Sequence, residues 1–86
     1  MKTYLMHRDE NPAYGVTEWW KTEDGKALCV DFNVKICKTI VLPYDTERGR
    51  VKSWTKLGVW RKDMTGGKAI RELGYEPVED GDGDGI

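Results

Sequence analysis

The chain has 86 residues, 38% hydrophobic and 34% charged, with four Trp, four Tyr and a formal net charge of −1. That length holds one modest core, and the aromatic content excludes a disordered polyelectrolyte. No apolar run is long enough to cross a bilayer, and the opening MKTYLMHRDE interrupts any leader-like stretch with His7, Arg8 and two acids, so the expected location is cytoplasmic with no membrane partner.

In chain order, KTYLMHR (2–8) reads as a first strand, and DENPAYG, with Asn11-Pro12 and Gly15, as a loop. VTEWWKT and KALCVDF are β-rich runs flanking Glu23-Asp24-Gly25, a three-residue hairpin loop with glycine in the left-handed position. That register opposes Trp20 to Leu28 and Trp19 to Cys29. Val16, Trp20, Leu28, Val30 and Phe32 then share the core face, and Trp19, Lys21, Ala27 and Asp31 the other. VKICKTIVLPY (34–44) supplies a third strand with a bulge or turn near Lys38. DTERGR is a turn, and VKSWTKLGVWRK alternates as an edge strand that Gly58 divides in two.

TGGKAIRELG is the helix candidate, with Thr65 as N-cap, Ala69, Ile70 and Leu73 as the apolar stripe and Gly74 as terminator. YEPV (75–78) returns as an edge strand, where Pro77 is tolerated. The expected class is α+β, mainly β. It is an antiparallel sheet or small partly open barrel of about five strands with one short C-terminal helix, over residues 1–78, followed by an acidic Gly/Asp tail, 79–86.

Residues that could carry catalysis are sparse. His7 is the sole histidine, on a strand beside Arg8, and reads as a surface or packing residue. A tight loop centred on Asn33 would set Cys29 opposite Cys37, but a cytoplasmic setting favours two reduced thiols. TGGK has the look of a phosphate-loop end, yet Ala69 stands where Ser or Thr should follow the lysine and Lys62 where the first glycine should be. A weaker anion site at that helix start, with Lys68, is physically reasonable. No enzyme activity, cofactor or metal is expected.

Charge is strongly segregated. Residues 48–71 carry Arg48, Arg50, Lys52, Lys56, Arg61, Lys62, Lys68 and Arg71 against Asp63 alone, whereas 72–86 carry six acids and no base. Trp54 and Trp60 interleave with the cations, and on a strand Lys52, Trp54 and Lys56 project together. Cations that neutralise phosphates and rings that stack bases are what single-stranded nucleic acid requires. The candidate surface is therefore Arg48, Arg50, Lys52, Trp54, Lys56, Trp60, Arg61 and Lys62, with nucleic acid or a nucleic-acid-handling complex as partner.

The tail EDGDGDGI opens like a calcium loop at Asp80, Asp82 and Asp84, but it lacks the bidentate acid that closes one. Its layout is similar to the acidic C-terminal tips of bacterial and phage single-stranded DNA-binding proteins, where a Gly- and Asp-rich run ends in an apolar residue. The resemblance covers Glu79, Asp80, Asp82, Asp84 and Ile86, and implies a regulator or partner hook that competes with phosphates for the upstream cations. The alternative expectation is a phage or mobile-element inhibitor of a host nuclease, polymerase or defence complex. It would act by direct protein binding, with Tyr14, Trp19 and Tyr44 as anchors.

Overall fold

The computed structural model describes residues 1–78; the tail residues Glu79, Asp80, Asp82, Asp84 and Ile86 lie outside them. Strand β1 (Lys2–Asn11) pairs antiparallel with β2 (Gly15–Thr22), which pairs with β3 (Ala27–Asn33) and that in turn with β4 (Lys38–Asp45). The β2–β3 register is the one the Glu23-Asp24-Gly25 turn dictates, Trp20 on Leu28 and Trp19 on Cys29. At the next hairpin Asn33 pairs with Lys38, so residues 34–37 form the turn and Lys38 opens β4.

Two short strands, β5 (Arg50–Val51) and β6 (Gly58–Trp60), line the outer edge of β4. The chain then crosses one face of the sheet through helix α1 (Lys68–Glu72) and adds β7 (Glu76–Val78) beside β1 at the far edge. Because that crossing traverses the whole sheet, β7 arrives parallel to β1. The result is an open mixed sheet of seven strands in the order β5-β4-β3-β2-β1-β7, with β6 also on β4. It differs from the expected antiparallel sheet or barrel of about five strands: its first and last neighbours sit at opposite edges, so no closure occurs.

The core lies between the sheet and the crossing segment. Trp20, Leu28, Val30 and Val41 face Met64, Ala69 and Ile70, flanked by Leu5, Trp60, Leu73 and Tyr75. Val16 and Phe32 share that face but are half-buried, lining a shallow groove with Pro12 and Val34. Burying each large apolar side chain contributes about 1.5–3 kcal/mol, which explains why a helix of only five residues persists. Its stability comes from Ala69 and Ile70 in the core, since isolated helices of that length do not form.

Hydrogen bonds fix where the crossing segment lands. On β4 the buried Thr39 hydroxyl donates to the Lys62 carbonyl at 2.6 Å and accepts the Met64 amide at 3.0 Å. On β2 the fully buried Glu18 accepts four bonds: from Arg8 Nε at 2.9 Å and Nη2 at 2.7 Å, from the Trp20 indole at 3.0 Å and from the Gly66 amide at 2.8 Å.

Thr65 is not the helix cap; it bonds to Asp63, and Gly67 occupies the cap position without a side-chain bond. Gly66 and Gly67 have φ of 72° and 91°, and a Cβ on Gly67 would stand 2.9 Å from Pro77 Cβ. The TGGK glycines therefore serve a left-handed turn packed against β7, with the Gly66 amide already holding an internal carboxylate. Among the described residues no helix is long and apolar enough to cross a membrane.

Replacing Glu18 by Ala removes the acceptor shared by the Trp20 indole and the Gly66 amide, and one partner of the Arg8 guanidinium. The expected loss is about 3–5 kcal/mol, read as a lowered urea midpoint. Glu18→Gln keeps the shape and one carbonyl acceptor, and loses less.

Candidate functional site

The basic segment is two short strands, as the glycine at 58 suggests, but Gly58 opens the second and the break lies before it. Lys52 N–H donates to the Pro43 carbonyl at 2.8 Å, Leu57 N–H to the Val41 carbonyl at 2.7 Å, and Gly58 pairs with Val41. One residue would bridge that interval opposite Leu42, but the sequence supplies residues 53–57, so the excess is extruded from the edge. Pro43 directs its carbonyl outward and has no N–H to offer there, so the β4 edge is weakest as a template where the strand departs.

Extrusion separates the two tryptophans. Trp54 rides on the loop and is 79% exposed. Trp60 turns to the covered face, packs against the core and lies so close over Gly58 that a Cβ there would meet its ring at 2.3 Å. Glycine at 58 is thus the seat of the Trp60 indole. Trp60 is withdrawn from the candidate surface, and Lys52, Trp54 and Lys56 do not alternate along a strand but sit together on one loop.

The cations Arg48, Arg50, Lys52, Lys56, Arg61 and Lys62 are all exposed. They follow the outer edge: Arg48 in the turn after β4, Arg50 on β5, the lysines 52 and 56 flanking Trp54, and Arg61 and Lys62 after β6. Arg48 leans towards Asp45 at 3.7 Å, an exposed pair worth little. Leu57, 44% exposed, adds apolar surface on the same loop; alternation offers no sign of this, because it places Leu57 within a strand. Below the loop an open cleft of about 710 Å³ is lined by Lys21, Lys26 and Lys52 together with Asp24, Asp45 and Glu47.

The other face of the sheet carries the second group. Trp19 and Tyr44 meet edge-on with ring centroids 6.3 Å apart, and His7 lies 5.3 Å from Trp19 at 31°. The Trp19 indole N–H is buried without an acceptor, so packing alone holds the ring. Tyr14 does not join them: it is exposed in the β1–β2 turn, under the Lys35 ammonium at 5.7 Å.

Cys29 lies opposite Trp19 and Leu42, while Cys37 is exposed in the 34–37 turn, and both are free thiols. A pairing across Asn33 fails because the turn takes in Cys37. Burial, with the Asp31 charge adding to it, pushes the Cys29 thiol up from 9.0 to about 11. At Asp63, partial burial acts against ionisation, but bonds from the Thr65 hydroxyl and amide hold the carboxyl below its usual range. Among the described residues no group of three or more His, Cys, Asp or Glu could hold a metal ion.

The thiols should therefore react in sequence. Iodoacetamide at pH 8 is expected to add one equivalent at Cys37, and a second at Cys29 only after denaturation, as read by intact mass and peptide mapping. Because the folded state keeps the Cys29 proton longer than the unfolded chain, this thiol's stabilising share is full below pH 9.0 and is lost as pH rises to about 11.

Comparison of the chain with protein-family models, with curated proteins and with solved structures finds no match to any of them.

Proposed function

We propose that this is a small non-enzymatic binding protein that engages nucleic acid, single-stranded by preference, along the β5–β6 edge. The observation that carries the reading is Trp54, 79% exposed on an extruded loop between Lys52 and Lys56. An indole held out in water has no packing role, and burial of so large a ring against a ligand is strongly favourable. Unstacked bases offer a face to it, whereas duplex bases are already stacked on each other.

Arg50, Lys52, Lys56, Arg61 and Lys62 follow the same edge, exposed, at positions where a phosphate backbone could run past the stacked base. The acidic residues 79–86 act as a competitor for those cations, which raises the salt sensitivity and selectivity of binding. A second reading keeps Trp19 and Tyr44 as anchors of a protein interface, favoured by their close approach on one face. In it the chain is a phage or mobile-element protein that blocks a host nuclease, polymerase or defence complex.

Fluorescence anisotropy with labelled single- and double-stranded oligonucleotides separates these. Trp54→Ala is expected to weaken single-strand binding by about 1–3 kcal/mol without moving the melting temperature. Lys52→Glu with Lys56→Glu should weaken binding further and flatten its dependence on salt. Absence of binding by both the full chain and a chain lacking 79–86 would falsify the nucleic-acid reading and leave the protein-interface one.

A further inference from the structure

Helix α1 and the segments beside it pack on one sheet face. The residues directed to the other form three rows across the strands, fixed by the pairing register. The first row holds Val51, Tyr44, Ala27, Lys21 and Tyr4; the second Leu42, Cys29, Trp19 and His7; the third Val59, Ile40, Asp31, Thr17 and Asp9. Antiparallel sheets with one solvated face normally set polar residues there. Here the centre is aliphatic and aromatic: Ala27, Cys29 and Leu42 are already buried, Trp19, Ile40, Tyr44 and Val51 are half-buried, and Tyr4 and Val59 are exposed.

We infer that this face is the interface of a symmetric homodimer, covered by the same face of a second copy. The argument is its own charge pattern. Lys21 stands in the first row of β2, and the acids Asp31 and Asp9 flank Thr17 in the third row. Two identical sheets placed face to face are related by a two-fold axis lying between them. An axis running across the strands at the level of Trp19 keeps each strand over its own copy and exchanges the first and third rows.

Lys21 of each copy then lies over Thr17 of the other, between Asp31 and Asp9. The apolar second row meets itself around the axis, with Leu42 and Trp19 at the centre. An axis along the strands instead lays Lys21 in the lateral mirror position, over apolar first-row residues, and leaves the acids unanswered. The charge pattern thus selects one arrangement, an isologous sheet sandwich of the usual aligned kind.

Three rows and five strands span roughly 20 Å by 24 Å; because Ala27, Cys29 and Leu42 are already buried, two copies bury less than about 1,000 Å², the range of a weak dimer. Other occupants match less well. Bases could stack on Trp19 and Tyr44, but Asp9 and Asp31 would repel the phosphates. The chain's own residues 79–86 bring one apolar side chain, Ile86, too few for this face.

Sedimentation velocity of the full chain, from low micromolar to several hundred micromolar, tests this. A mass near twice 9.9 kDa is expected at the upper end, with Trp19 fluorescence shifting to the blue over the same range. Val59→Lys, at an exposed position on the interface rim, should weaken association by more than about tenfold. Lys21→Asp and Asp9→Lys should each weaken it by about five- to tenfold, and the double reversal should restore it. A monomer at every concentration overturns the proposal, as does a dimer indifferent to Val59→Lys and Lys21→Asp. Dimerisation only after deletion of 79–86 overturns it too, by making the tail the occupant. So does a monomer whose oligonucleotide binding is lost in Trp19→Ala or Tyr44→Ala, which would give the face to nucleic acid.

Discussion

The whole arrangement depends on one buried carboxylate. Glu18 is fully excluded from water on β2, and its two oxygens bind Arg8 from β1, the indole of Trp20 two residues on, and the Gly66 amide of the crossing segment. A carboxylate in that position is costly unless its oxygens have donors, and both do here, Oε2 from Arg8 and the Gly66 amide and Oε1 from the Trp20 indole. The consequence is positional more than energetic. An apolar core of Trp20, Leu28, Val30 and Val41 would accept a capping segment in several orientations, whereas a charge with fixed donors accepts one. With Gly66 held at β2 and Met64 held to Thr39 on β4, the chain is led across the sheet and released beside β1. The parallel β7, the glycine turn and the placement of Ile70 all follow from that path.

The same path leaves the outer edge of β4 to β5 and β6. Since the crossing segment starts after β6, residues 50–60 must reach the β4 edge twice, and the interval between the contacts is longer than the edge requires. Three local features decide where the excess goes. Pro43 offers no donor, Gly58 accepts the Trp60 ring, and that ring anchors the far side in the core. What is left between is Ser53, Trp54, Thr55 and Lys56, which have no apolar surface on the sheet to cover. An exposed tryptophan here is the by-product of a well-anchored one six residues later.

Much of this was legible from the residues and some was not. The β2–β3 register follows from Glu23-Asp24-Gly25 and the alternation around it, and the mainly β fold with one short late helix follows from the Ala69, Ile70, Leu73 stripe. Trp54 and Trp60 could not be told apart, because both have the same parity in a segment whose break the glycine at 58 suggests, and only the Lys52–Pro43 and Leu57–Val41 bonds show that the chain leaves the edge earlier. Glu18 did carry a signal: it has the parity of Val16 and Trp20, so an acid was directed at the core. Parity cannot name its partners, since Arg8 is a strand away and Gly66 is 48 residues on. The parallel β7 was invisible for a related reason: a three-residue strand containing Pro77 has no pattern of its own, and its direction is set by the crossing.

Both faces of the sheet and its outer edge then acquire distinct characters from one sequence constraint. Among the described residues the crossing segment packs on one face of the sheet, and the Glu18 contact commits it to that side. The opposite parity of β2, β3 and β4 nevertheless carries Trp19, Cys29, Ile40, Leu42 and Tyr44, residues that an always-solvated face would replace with polar ones. The two-fold inferred from Lys21, Asp9 and Asp31 also keeps each β4 edge over its own copy. Two Trp54 loops therefore emerge on the same side of a dimer, and a single strand long enough to reach both would be held at two points. Binding at the second point is then intramolecular, and its effective concentration depends on loop separation. On the proposed nucleic-acid reading, modest stacking by one indole per copy then suffices for retention.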